Sequence, residues 1–188
     1  TSAGNLFWGT SYGGDGSDLA LDLCIDMSNN IFVTGETQST QVSFPLLFPY
    51  DGTHNGQKDM FILKFDPSGI HKWATYFGGN GHDIGYGIAC DVSGSIYLTG
   101  STLSSNFPIL GGASSNGGSG DGFVIKFVPA LTLNFSRYLG GSSGDVGNEI
   151  VVDPIGNIFV IGKTGSSNFP VMNQVPAPVG IGNYFGTK

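Results

Sequence analysis

Three short stretches decide how this chain folds: YGGDGSD (Tyr12–Asp18), FGGNGHD (Phe77–Asp83) and LGGSSGD (Leu139–Asp145). Around them other residues recur in register. Trp8, Trp73 and Phe135 come before; Asp26, Asp91 and Asp153 come after, followed by Gly35, Gly100 and Gly162. The pairs Phe44-Pro45, Phe107-Pro108 and Phe169-Pro170 follow, then DMFILKF, DGFVIKF and NYFGTK from Asp59, Asp121 and Asn183. The chain therefore reads as three tandem units, 1–70, 71–132 and 133–188, and repetition of this kind implies units that bury their flat faces on one another.

Each unit reads as four antiparallel strands. The first, rich in aromatics (from Leu6, Lys72 and Asn134), stops at the Gly-Gly pair, where glycine permits a sharp exit. The second and third form a hairpin over the recurring aspartate, LDLCID to IFVTGET in the first copy, and Asp26, Asp91 and Asp153 are read as turn formers. The fourth carries FILKF or FVIKF, and in the first copy the turn Asp66-Pro67-Ser68-Gly69 follows it. Between third and fourth lies a long loop holding Phe-Pro, and long loops are often functional. No stretch has a capped 3.6-residue apolar period, so the expected fold class is all-β.

Composition agrees. Of 188 residues 32 are glycine, and only 7 are Lys or Arg against 14 Asp or Glu, a net charge of −7. No cationic stripe is available for phosphates, which argues against nucleic acid as a partner, and no apolar run is long enough for membrane insertion. The start at Thr1 suits a processed secreted protein and equally a fragment of a longer one. Cys24 aligns with Ala89, and Cys90 with Ile25. The two thiols sit one position apart in equivalent strands and should face opposite sides, so buried free thiols are expected rather than a disulfide.

Aromatic-x-x-Tyr/Phe-x-Gly-Gly, then Ile-x-x-Asp-x-x-Gly-Asn/Ser-Ile-Tyr/Phe-Val/Leu-x-Gly-x-Thr, Ser-Asn-Phe-Pro and Asp-x-Phe-Val/Ile-x-Lys together resemble the bacterial β-propeller repeat often called SBBP. The resemblance implies one propeller blade per unit and an extracellular or cell-surface setting, and it brings no catalytic residues. The first unit departs from it in GETQSTQVSFP, two residues longer than GSTLSSNFP, and the third in lacking an Asp at position 183. Three blades are incomplete as a single ring, since propellers close with about four to eight. The uncovered faces call for further blades of a parent chain, a ring of two chains, or head-to-tail assembly into a filament.

Candidate sites are few. Asp15, Asp18, Asp83 and Asp145 in the acidic turns are candidates for Ca²⁺, a hard ion that takes oxygen ligands, against the plainer role of bonding nearby amides; no other cofactor is expected. His54, His71 and His82 do not recur, and no nucleophile elbow, phosphate loop or HExxH helix is present, so an enzyme is not expected. The loop residues Phe44, Pro45, Phe107, Pro108, Phe169 and Pro170 are candidates for partner contact. Trp8, Trp73, Tyr76, Phe135 and Tyr138 suit either packing between blades or stacking on a sugar. The expected function is a structural or interaction module; the alternative is a lectin-like glycan binder, calcium-dependent or not.

Overall fold

The computed structural model describes residues 4–112, 117–170 and 183–187; the third long loop beyond Pro170 and Lys188 lie outside the described residues. Strands β1 (Asp18–Ile25), β2 (Ile31–Thr37), β3 (Asp59–Phe65) and β4 (His71–Phe77) form one sheet. A second contains β5 (Asp83–Cys90), β6 (Ile96–Thr102), β7 (Asp121–Val128) and β8 (Thr132–Leu139); a third contains β9 (Asp145–Val152), β10 (Ile158–Thr164) and β11 (Asn183–Thr187). Neighbouring strands are antiparallel throughout, and no helix occurs among the described residues. The all-β reading and its blade-like sheets hold, as three open sheets of four, four and three strands.

The sheet boundaries differ from the unit boundaries at 70 and 132. β4 and β8, assigned from sequence to the start of the second and third units, are hydrogen-bonded to β3 and β7 of the preceding sheet. The reason lies in the turns: after β3, Asp66 Oδ1 accepts the amides of Ser68 and Ile70, folding the chain straight back. A strand that leaves such a turn pairs with the strand that entered it. The first two sheets therefore end at a Gly-Gly pair. The segment from Leu6 forms no strand; it lies on the first sheet, with Trp8 and Tyr12 against Phe65.

The hairpin aspartates act as read. Asp26, Asp91 and Asp153 each accept two backbone amides from their own turn. Burial alone would raise Asp91, but hydrogen bonds from Ser93, Ser95 and Tyr97 overcome it and hold its carboxyl at about 2.

Strand pairing sorts side chains onto two faces of each sheet. Cys24, Phe32, Met60, Ile62 and Phe77 lie on what we term the front of the first sheet, and they pack on Ile88, Ile96, Leu98, Phe123, Ile125 and Phe127 from the back of the second. The same junction recurs between Ala89 and Tyr97 of the second sheet and Ile150 and Val160 of the third. This front-to-back order corrects the reading of the cysteines: Cys24 and Cys90 are disulfide-bonded. They do face opposite sides of equivalent strands, and opposite sides are what front-to-back stacking brings together.

The junctions are tight. A β-carbon built on Gly85 would lie 2.3 Å from Thr34 Oγ1, and one on Gly147 2.0 Å from Thr99 Oγ1. Glycine is required there because the neighbouring sheet leaves no space for any side chain. Each of β1, β5 and β9 also bulges after its third residue. At the first junction Asp22 Oδ2 reaches across and accepts Ile88 N–H at 2.8 Å.

Candidate interaction surfaces

The acidic turns are staples inside each sheet. Asp18 accepts Gly14 N–H together with the hydroxyls of Thr37 and Ser39. Asp83 accepts Gly79 N–H and Ser104 Oγ, and Asp145 accepts Gly141 N–H and Ser166 Oγ, all at 2.7 Å. Asp15 instead takes Ser43 Oγ and Thr40 N–H on the surface, and these bonds hold its carboxyl below the usual range. The four calcium candidates are thus distributed over three separate turns. Among the described residues no three His, Cys, Asp or Glu side chains gather in a metal-holding group. The recurring Ser39, Ser104 and Ser166 complete the staples, a role that sequence reading missed although their offset is constant.

The Phe-Pro loops turn inward, which corrects the expectation for their aromatic half. Phe44 packs on Phe61 and Tyr76, and Phe107 on Phe123 and Tyr138, where it is 4% exposed. Phe169 is buried likewise. A ring without accessible surface has none to give a partner; Pro45 and Pro170 remain exposed, and Pro108 is half-buried. The asparagine before the ring explains its position: Asn106 Oδ1 accepts Asn80 N–H and Asn168 Oδ1 accepts Ser142 N–H, tying the loop to the Gly-Gly turn. Farther on, the first two loops run beside the outermost strands β4 and β8. Ala74 and Tyr76 donate to the carbonyls of Leu47 and Asp51, and Leu110 exchanges two bonds with Ser136. The long loops seal sheet edges that would otherwise recruit other strands.

What remains open is at the two ends of the stack. The back of the first sheet exposes Leu23 and Ile25, the positions that are Ile88 and Cys90, then Ile150 and Val152, in the buried junctions. The front of the third exposes Val151, Phe159 and Ile161, equivalent to Cys24, Phe32 and Thr34. Leu23 and Ile161 are 56% and 58% exposed. These surfaces are apolar because blades of this design are apolar on both faces, and a patch of that kind marks an interaction site. The ends are nonetheless not matched to each other. Ile161 stands where both inner junctions have threonine, and Ala20 stands where they have the glycine that threonine presses upon.

A groove of about 280 Å³ opens between the hairpin turns of the first two sheets, lined by Asp26, Asn30, Phe32, Lys64, Trp73 and Leu131 among others. The Lys64 ammonium lies 5.1 Å from the centre of the Phe32 ring. Of the aromatic residues considered for stacking, Trp73 lines this groove, whereas Tyr76 is fully buried.

An open pile of antiparallel sheets joined front to back, each opening on a Gly-Gly turn, belongs to the class of propeller blades. The comparison with protein families agrees: residues 72–108 and 134–170 match the model described as the Beta-propeller repeat, SBBP. The chain is also similar to an uncharacterized WD repeat-containing protein of Acanthamoeba polyphaga mimivirus. The two are 22% identical over 195 residues, covering 90% of this chain and 14% of the relative. The chain thus spans about a seventh of the length of that curated relative.

Proposed function

We propose that this chain is a non-catalytic interaction module of an extracellular or cell-surface protein, three blades of a propeller whose end faces are covered by further blades of different sequence. The observation that carries the reading is the pair of exposed apolar ends, which present the same positions as the two buried junctions while departing from them at Ala20 and Ile161. The departure favours unlike blades over a second copy of this chain, because a β-carbon at position 20 would meet the larger Ile161 where glycine meets threonine. The disulfide supports an extracytoplasmic setting, since such bonds persist in oxidising compartments.

The chain alone is expected to associate weakly and without closure at high concentration, and Val151→Asp with Ile161→Asp is expected to abolish this while leaving the melting temperature unchanged. Light scattering and electron microscopy provide the check. Discrete six-bladed rings or regular filaments would mean that the ends do fit one another and would overturn the reading. A strictly monomeric wild type at all concentrations would show that the faces need no cover.

A second reading, glycan binding, has the groove in its favour, with the Trp73 indole as a stacking wall and Lys64, Asp26 and Asn30 as polar contacts.

A further inference from the structure

At each junction two aspartates from adjoining sheets meet around one glycine. A β-carbon on Gly78 would lie 2.7 Å from Asp83 Oδ2 and 3.2 Å from Asp59 Oδ1; one on Gly140 would lie 2.3 Å from Asp121 Oδ1 and 2.8 Å from Asp145 Oδ2. All four residues are at most 1% exposed. Donors reach both oxygens of Asp59 but only part of the other three carboxyls. Asp59 accepts Asn55 N–H and Gly56 N–H, and Asp121 accepts Gly117 N–H. Asp121 Oδ1 and Asp145 Oδ1 find no donor; Asp83 Oδ1 finds none in hydrogen-bonding geometry, with the Thr102 hydroxyl beside it. No lysine or arginine ion-pairs with any of the four, for among the described residues the ion pairs are Lys58 with Glu36, Lys72 with Asp66 and Lys126 with Asp91.

Two buried carboxylates facing one another without a cation are strongly unfavourable, and buried acceptors without donors add to the cost. One proton relieves the repulsion, because a protonated carboxyl donates to its neighbour, and at the second junction it also gives Asp121 Oδ1 a partner. We propose that each blade junction is a proton-binding clasp: Asp59 and Asp83 take up and share one proton from solvent, and Asp121, facing Asp145, takes up another, so that mild acid tightens the stack. A divalent cation fits less well. It needs six or more oxygens, whereas each junction offers two carboxyls whose lone pairs are partly committed to N–H and O–H donors.

The electrostatics agree in direction. Burial, opposed by the amides and by His54 and reinforced by Asp83, pushes Asp59 up to about 6. Burial also raises Asp83, and burial with the Asp145 carboxylate raises Asp121. The other titratable groups facing the clasps are His82 beside Asp83, Tyr76 beside Asp59, and Tyr138 near Asp83 and Asp121. An acid whose pKa is higher folded than unfolded binds more protons when folded, so its contribution is full in acid and falls as pH rises from about 4 to above 6. The paired carboxyls thus oppose the usual acid destabilisation of carboxylates.

The test compares the 188-residue chain with the double variant Asp59→Asn, Asp121→Asn, whose amides imitate the protonated acid and which leaves every histidine in place. From pH 8 to pH 5 the folding equilibrium of the wild type, read by urea denaturation, should gain about tenfold from the Asp59–Asp83 clasp relative to the variant, with a further gain in the same direction from Asp121. Identical pH profiles would overturn the proposal. Should the variant fail to fold, carbon-13 titration of the wild-type carboxyls decides: aspartate resonances moving near pH 6 are expected, and none moving above pH 5 refutes it. Calcium chloride that stabilises the wild type but not the variant at pH 8 would assign the clasps to a cation and refute it also.

Discussion

Adding reductant to the folded chain is expected to lower its stability by about 4 kcal/mol, the entropy released when a cross-link closing some 66 residues is cut. The bond joins β1 to β5 and so fastens the first sheet to the second at the strands nearest each other in the stack. Urea denaturation with and without reductant measures the effect, and Cys24→Ser with Cys90→Ser should reproduce it. The loss should appear as earlier unfolding of the whole chain, because the Phe32, Ile62 and Leu98 cluster needs both sheets. A midpoint indifferent to reductant would mean that the thiols are not joined in the folded protein.

Replacing Phe107 by alanine should cost about 3–5 kcal/mol, the usual range for emptying an aromatic site in a core. The ring touches Phe77, Phe123 and Tyr138 and seals the back of the second sheet against the first. Pro108→Ala, next to it and only half-buried, should change stability by less than about 0.5 kcal/mol. Thermal or chemical denaturation of both variants separates a core plug from a contact loop. A neutral Phe107→Ala would restore the loop to the role its composition suggested.

The sequence carried the repeat in plain view. Gly-Gly pairs at a regular interval, with aromatics before them and aspartates after, were enough for the all-β class, the hairpins and the turn roles of Asp26, Asp91 and Asp153. It was silent on how repeats meet. An aromatic strand such as His71–Phe77 has the same composition whichever sheet it joins, so its place followed only from the tightness of the turn before it. Cys24 and Cys90 were correctly assigned to opposite sides, yet pairing them required knowing that one sheet's front lies on the next sheet's back. Phe107 in a glycine-rich loop gave no sign of pointing inward. Asp59 and Asp83 belong to different sheets, and no spacing within one repeat could have matched them.

Because every junction joins unlike faces, the pile has a direction, as a stack of cups does. Inserting or deleting one whole unit changes the height of the pile but not the kind of rim at its top or the kind of base beneath. Gene duplication could lengthen such a protein without redesigning its boundaries, and Ala20 and Ile161 mark where the outer two of these three units differ from the pattern of the inner junctions.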